Sequence, residues 1–155
     1  MLDRYGDDNV EFALIGHSIG GWVARAWLSE WTSPKIKEKV TSLITLGSPH
    51  QPPPSSSFFS SADQTRGLLT YINTNFPGAF EPKVAYTSVI SSAYTGELPS
   101  LKSSSLSPLF LSLLAFASYS LLSGEGTSSG DALIPISTAT LDGAKLLVVE
   151  VILIF

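Results

Sequence analysis

The segment that most constrains the fold of this chain begins with a short apolar run, Phe12–Ile15. It leads directly into Gly16-His17-Ser18-Ile19-Gly20, and apolar residues then recur at helical spacing from Trp22 to Trp31. This succession predicts a buried strand, a very tight turn and a helix, the setting that the G-x-S-x-G motif requires. In such a turn the serine occupies a strained, positive-φ corner with its hydroxyl exposed at the end of the sheet. We therefore expect that geometry at Ser18.

The glycines around Ser18 support this interpretation. A corner this sharp brings its flanks against the backbone, so we expect Gly16 and Gly20 to be needed for their small size, and Gly21 to let the helix approach the strand. The alternative is a glycine-rich turn without chemistry, such as a phosphate-binding turn. No Lys-Ser/Thr pair follows and G-x-G-x-x-G is absent, so nucleotide binding ranks last. We interpret Ser18 as a nucleophile and the backbone N–H of Ile19 as an oxyanion donor.

A serine hydroxyl is a weak nucleophile until a base takes its proton and an acid orients that base. In this motif's fold the chain order is Ser, then Asp or Glu, then His. The only histidines are His17 and His50, and none follows. We interpret both as structural residues that line the site, so the triad base is missing from the sequence. Two histidines and no cysteine also make a metal site improbable, and we expect neither metal nor cofactor.

Further strands and helices alternate along the chain. Strands are predicted at Val40–Leu46, Val84–Ile90 and Leu146–Phe155, and helices from Asp63 to Phe76 and over Leu109–Leu122. This alternation predicts an α/β fold with a parallel sheet flanked by helices on both faces.

The 155 residues suggest one domain, in which the serine-rich region 90–130 reads as a lid-like insertion of low complexity. A net charge of −4 and a pI near 5.0 give no reason to expect nucleic-acid binding. No signal peptide and no transmembrane segment is visible, so we expect a soluble protein of unknown compartment, with cytoplasm and plastid both compatible.

Five motifs occur in order along nearly the whole chain: GHSIGGWVARAWL, ITLGSPHQPPP, ADQTRGLL, GDALIP and LDGAK. Together they resemble the lipase-like α/β-hydrolases related to GPI inositol-deacylase, of the soluble plant and cyanobacterial type. The resemblance implies a partial α/β-hydrolase domain spanning residues 1–155, with the N-terminal strands missing and truncation at both ends. The loop that would donate the second oxyanion hydrogen bond is then missing as well.

The relatives typically have Gly-Asp-Gly-Val-Val-Pro where this chain has GDALIP, and their aspartate belongs to the triad. The resemblance thus implies that Asp131 is the acid, although Ala132 replaces a glycine. Asp131 could instead be a turn-capping aspartate. Asp63, Glu125 and Asp142 are weaker candidates for the acid.

The resulting hypothesis is a serine hydrolase of carboxylic esters, acting on a small-molecule or lipid ester. This chain alone is expected to be inactive because it lacks the triad histidine. The alternative is a non-catalytic truncated fragment, or a module for binding or pairing. Missing N-terminal strands would expose a sheet edge, which favours self-association.

Overall fold

The structure, a computed structural model, describes residues 10–52, 67–98 and 106–150. Four parallel strands form its main sheet: β1 (Phe12–His17), β2 (Val40–Leu46), β3 (Ala85–Ser91) and β6 (Lys145–Val149), in the order β1-β2-β3-β6. Two short strands, β4 (Tyr94–Thr95) and β5 (Ser129–Gly130), pair antiparallel in a separate ribbon. The α-helices of the described residues are α1 (Ile19–Ala26), α2 (Pro34–Lys37), α3 (Leu68–Asn75), α4 (Leu106–Ser123) and α5 (Ile136–Ala139), and a π-helical segment, Trp27–Trp31, directly continues α1.

The predicted elements agree closely with these bounds. The strand Val40–Leu46 is confirmed, and the strand predicted at Val84–Ile90 lies one residue further along. The helix predicted over Leu109–Leu122 is confirmed and is longer, since α4 includes Leu106–Ser123. The described part of the helix predicted from Asp63 is α3, and the described part of the predicted final strand is β6. Asp63 and residues 151–155 lie outside the described residues.

Apolar side chains from β2, β3 and the elements packed on them form the main core. Leu43 of β2 lies beside Leu14 of β1 and Tyr86 of β3 in the register of the sheet, so the three side chains share one face. Helix α1 packs against β1 and β2. The buried members of this core are Leu28, Val40, Leu43, Val84, Tyr86 and Leu141. Burial of these side chains, at about 25 cal/mol per Å² of apolar area, stabilises helix and sheet against each other.

The two edge strands of the sheet carry exposed apolar side chains. Ile15 of β1 is 68% exposed and Leu147 of β6 is 39% exposed, and the register puts both on the same face. Helices flank the sheet as predicted, and the described residues leave these two apolar side chains of the edge strands partly exposed.

The parallel strands all end at one edge of the sheet, and this edge positions the candidate site. Ser18 follows β1, Gly47 follows β2, and the turn containing Asp131 lies between β5 and α5. Loops at the carboxyl ends of parallel strands are the usual location of ligand sites in α/β sheets. No helix in the described part of the chain is long and apolar enough to cross a membrane.

Candidate active site

Ser18 occupies a strained backbone corner between β1 and α1. Its φ is 51° and its ψ is −124°, a conformation that non-glycine residues rarely adopt. Serine is a favoured helix N-cap because its oxygen usually accepts a hydrogen bond from the first turn, yet Ser18 makes no side-chain capping bond. Its backbone N–H donates to Leu46 O at 2.9 Å, which ties the corner to the end of β2. The expected positive-φ geometry is therefore present, with a hydroxyl not used for capping.

Gly16 and Gly21 allow this corner to form, each at a different contact. A Cβ on Gly16 would lie 2.5 Å from Gly20 O and 2.6 Å from Gly21 Cα, which are backbone atoms of α1. A Cβ on Gly21 would overlap the Ser48 side chain and lie 3.0 Å from Thr45 Cγ2. Gly16 thus lets the helix start against the strand, and Gly21 lets it pack on β2.

Gly20 does not have the steric role expected from the sequence. A Cβ built on it meets none of the described residues within 4 Å outside the local helix, so the expectation that both flanks of Ser18 must be small is wrong for this residue. The close approach at the corner is between Gly16 and the carbonyl of Gly20. A Cβ on residue 20 would point into space that none of the described residues occupies.

Ile19 begins α1 immediately after the serine. The first N–H groups of an α-helix have no acceptor within the helix, and they lie at the positive end of its dipole. The N–H of Ile19 is such a group, one residue from the Ser18 hydroxyl, while the Ile19 side chain is 53% exposed. This arrangement suits an anion developing next to Ser18.

Asp131 is held in a turn by its own side chain. Its Oδ1 accepts hydrogen bonds from the backbone N–H groups of Leu133 at 2.9 Å and Ile134 at 2.7 Å. The residue is only 6% exposed. Its Oδ2 has no hydrogen bond from the described residues and lies 2.8 Å from the position that a Cβ on Gly47 would occupy. One carboxylate oxygen thus fixes the group, and the other remains available.

The structure brings Ser18 and Asp131 to the same edge of the sheet. The Ser18 N–H bonds to Leu46 O, and the next residue, Gly47, is the backbone that Asp131 Oδ2 approaches. Gly47 itself has a φ of 51°, so a side chain there would be both strained and in collision with the carboxylate. Sequence reasoning missed this role of Gly47, for which a glycine directly after a predicted strand was the available signal.

The weaker acid candidates are not brought to this edge in the same way. Glu125 and Asp142 are exposed residues of turns after α4 and before β6. The backbone carbonyl of Glu125 accepts hydrogen bonds from the hydroxyls of Ser123 and Ser128, and the backbone carbonyl of Asp142 accepts one from the N–H of Ala79. Asp63 lies outside the described residues. Within them, groups of three or more residues that could hold a metal ion are also absent.

His50 is completely buried and is fixed on three sides. Its Nε2 lies 3.0 Å from Thr45 Oγ1, its backbone N–H donates to Thr138 O at 2.6 Å, and its carbonyl accepts from Asn73 Nδ2 at 2.9 Å. Burial, with a smaller contribution from the positive charge of Arg25, lowers the pKa of His50 to about 3. So weak a base cannot take a proton from serine near neutral pH. His17, in contrast, is exposed at the end of β1.

Arg25 is a buried cation that the sequence pattern did not reveal. It is 0% exposed on the inner face of α1, and its Nη2 donates to Phe76 O at 3.2 Å. Its Nε and Nη1 have no hydrogen-bond partner among the described residues. Burial lowers its pKa to about 10, so Arg25 remains charged at neutral pH. It therefore contributes to keeping the nearby His50 neutral.

Comparison with known proteins identifies the family. The model of the PGAP1-like alpha/beta domain matches residues 2–95, more than half of the chain. The chain belongs to the PGAP1-like alpha/beta domain family. This match includes the Ser18 corner, β2 and β3, whereas Asp131 lies beyond it.

A solved structure extends the likeness of this PGAP1-like domain over most of its length. It resembles the crystal structure of Bacillus licheniformis lipase BlEst2 in mature form, with a TM-score of 0.56 and 15% sequence identity. The match covers 94% of this chain and 58% of the lipase chain, so this domain spans little more than half the length of that protein. The fold is thus that of a lipase-like α/β-hydrolase. A comparison of the sequence with curated proteins found no match.

Proposed function

We propose that this PGAP1-like domain carries the nucleophilic part of a serine hydrolase that acts on carboxylic ester bonds. The observation that carries the proposal is the backbone of Ser18, with a φ of 51° at the start of α1 and a hydroxyl that caps no helix. A strained non-glycine residue persists only where its surroundings impose it, and such residues cluster at functional sites. Here Gly16 and Gly21 let helix α1 pack closely against the sheet on both sides of the strained Ser18 backbone.

The proposal gives each residue of the site a separate role. Ser18 Oγ attacks the ester carbonyl, and the N–H of Ile19 donates to the oxyanion that forms. Asp131 accepts an N–H from a base through Oδ2, while Oδ1 remains bonded to Leu133 and Ile134. The base accepts the proton of Ser18 and returns it to the departing alcohol.

This chain alone lacks that base. His50 is excluded by its burial and its pKa of about 3, and it precedes Asp131 in the sequence. We therefore expect the chain by itself to turn over esters negligibly. An added imidazole has the chemical groups of the missing residue, since it can donate one N–H to Asp131 Oδ2 and accept the serine proton at its other nitrogen.

The test is hydrolysis of p-nitrophenyl acetate by the wild-type chain and by Ser18→Ala, each with and without added imidazole. Subtracting the Ser18→Ala rate removes direct hydrolysis by imidazole. We expect no Ser18-dependent rate without imidazole and a saturable one with it. Strong Ser18-dependent turnover without imidazole would overturn the claim of inactivity. Equal rates for the two proteins at all imidazole concentrations would overturn the catalytic proposal.

A second candidate is a non-catalytic pairing module, favoured by the open edge of the sheet. Within the described part of the chain, strand β1 is an edge strand, and Ile15 on its open face is 68% exposed. An exposed edge of this kind can add a strand from another chain. Light scattering after size-exclusion chromatography would detect association, and Ile15→Lys should abolish it. A monomer at all concentrations would reject this candidate for self-pairing.

A further inference from the structure

A buried tyrosine of helix α4 contacts the turn that contains Asp131. Tyr119 is 0% exposed, and its hydroxyl accepts a hydrogen bond from the backbone N–H of Ala132 at 2.9 Å. The same hydroxyl donates to Tyr94 O in β4 at 3.4 Å. The Tyr119 side chain therefore joins the residue after Asp131 to the β4–β5 ribbon.

The turn needs such support because its backbone is strained. Ala132 has a φ of 82°, and its side chain is buried beside Ala115 and Tyr119. Alanine adopts this left-handed region only at an energetic cost, because its Cβ crowds the backbone there. A contact that holds the Ala132 N–H in place offsets that cost, and the N–H would otherwise be a buried donor without an acceptor.

The fit around the tyrosine hydroxyl is close on the other side of Asp131 as well. A Cβ on Gly130 would lie 2.7 Å from Tyr119 Oη, so only glycine permits this approach. Burial raises the pKa of Tyr119 to about 12, with a smaller raising effect from the charge of Asp131. The hydroxyl thus stays protonated near neutral pH and keeps both of its hydrogen bonds.

A second hydroxyl of α4 contacts the same turn. Ser118 Oγ donates to Leu133 O at 2.6 Å. Consecutive residues of the helix thus bond to consecutive residues after Asp131, and Asp131 Oδ1 in turn holds the N–H groups of Leu133 and Ile134. Movement of α4 away from the sheet would break both bonds to the turn.

From this geometry we propose that Tyr119 is a positioning residue for Asp131, and that α4 serves as a fixed support of the acid turn. The proposal rests on the proposed role of Asp131 in ester hydrolysis. Tyr119 touches neither substrate nor Ser18 in this scheme. It holds the carboxylate so that Oδ2 stays directed toward Gly47 and the edge of the sheet, where the base must bind.

The test compares Tyr119→Phe with wild type and with Tyr71→Phe. The control loses the same hydroxyl, which in Tyr71 bonds to Glu30 at an exposed position far along the chain from the turn. The first measurement is amide hydrogen exchange by NMR. In Tyr119→Phe we expect protection of the amides of Ala132, Leu133 and Ile134 to fall about tenfold more than that of buried Ile90. A uniform fall, or none, would overturn the proposal.

The second measurement is the imidazole-supported, Ser18-dependent hydrolysis of p-nitrophenyl acetate. A misplaced acid should lower kcat about tenfold in Tyr119→Phe and leave KM for the ester within about twofold, while Tyr71→Phe behaves as wild type. An unchanged kcat beside loosened amides would overturn the positioning role. If no variant shows Ser18-dependent hydrolysis, the proposed function fails, and amide exchange alone then decides whether Tyr119 holds the turn.

Discussion

The two glycines on either side of Ser18 should respond in opposite ways to the same substitution. A Cβ on Gly16 would lie 2.5 Å from Gly20 O, whereas ordinary contacts begin near 3.4 Å. The start of α1 would have to move by about 0.9 Å, and overpacking of this kind costs about 1–3 kcal/mol. For a domain of this size, we expect Gly16→Ala to lower Tm by about 2–12 °C.

Gly20→Ala is the matched control, with the same added methyl group four residues away. Its Cβ meets nothing within 4 Å, and alanine is the better helix former by about 0.5–1 kcal/mol. We expect the Tm of Gly20→Ala to stay unchanged or to rise by about 1–4 °C. Thermal unfolding followed by circular dichroism measures both variants. Equal losses in the two, or a more stable Gly16→Ala, would refute the inference that α1 starts in contact with Gly16.

Two further predictions concern the edge of the sheet. Gly47→Ala should destabilise the fold more than Gly67→Ala, because both residues have a positive φ but only a Cβ on Gly47 would lie 2.8 Å from Asp131 Oδ2. In urea unfolding, we expect the free energies of unfolding of the two variants to differ by about 1 kcal/mol or more. Equal free energies of unfolding would contradict the close approach of Asp131 to Gly47. The pKa of His50 is about 3 in the folded chain and near 6.5 in the unfolded chain, so below pH 6.5 the unfolded chain binds a proton that the folded chain does not. The contribution of His50 to the free energy of unfolding should therefore be fully present above pH 6.5 and should decline by up to about 1.4 kcal/mol per pH unit as the pH falls toward 3. His50→Gln should flatten this decline in urea unfolding, whereas His17→Gln should retain it; equal slopes in the two variants would contradict the buried, neutral imidazole.

The local part of the site could be predicted from the sequence because it is built from consecutive residues. A buried apolar run, a glycine-flanked serine and a helical period are enough to define the corner at Ser18, and the structure has a φ of 51° there. The strand Val40–Leu46 was predicted for a similar reason, since its β-branched and apolar residues form one uninterrupted run.

Contacts between distant segments could not be read in the same way. Tyr119 and Ala132 are 13 residues apart, and no local sequence pattern indicates that the Tyr119 hydroxyl accepts a hydrogen bond from the Ala132 N–H. The burial of Arg25 depends on α3 packing over α1, and its bond reaches Phe76, 51 residues away. The open space at Gly20 is likewise a property of the packed helix, whereas the motif alone suggested a steric need.

The most direct test of the nucleophilic role uses Ser18→Cys, since the chain contains no cysteine of its own. A thiol at the start of α1 should have a pKa below the usual value of about 8.5, and its thiolate needs no base. Exposed Thr74 of α3, in the second half of that helix, provides the control Thr74→Cys. Acylation by p-nitrophenyl acetate, followed by intact mass against pH, should be faster and begin at lower pH in Ser18→Cys. Equal rates and equal pH profiles for the two thiols would contradict an activated position at residue 18.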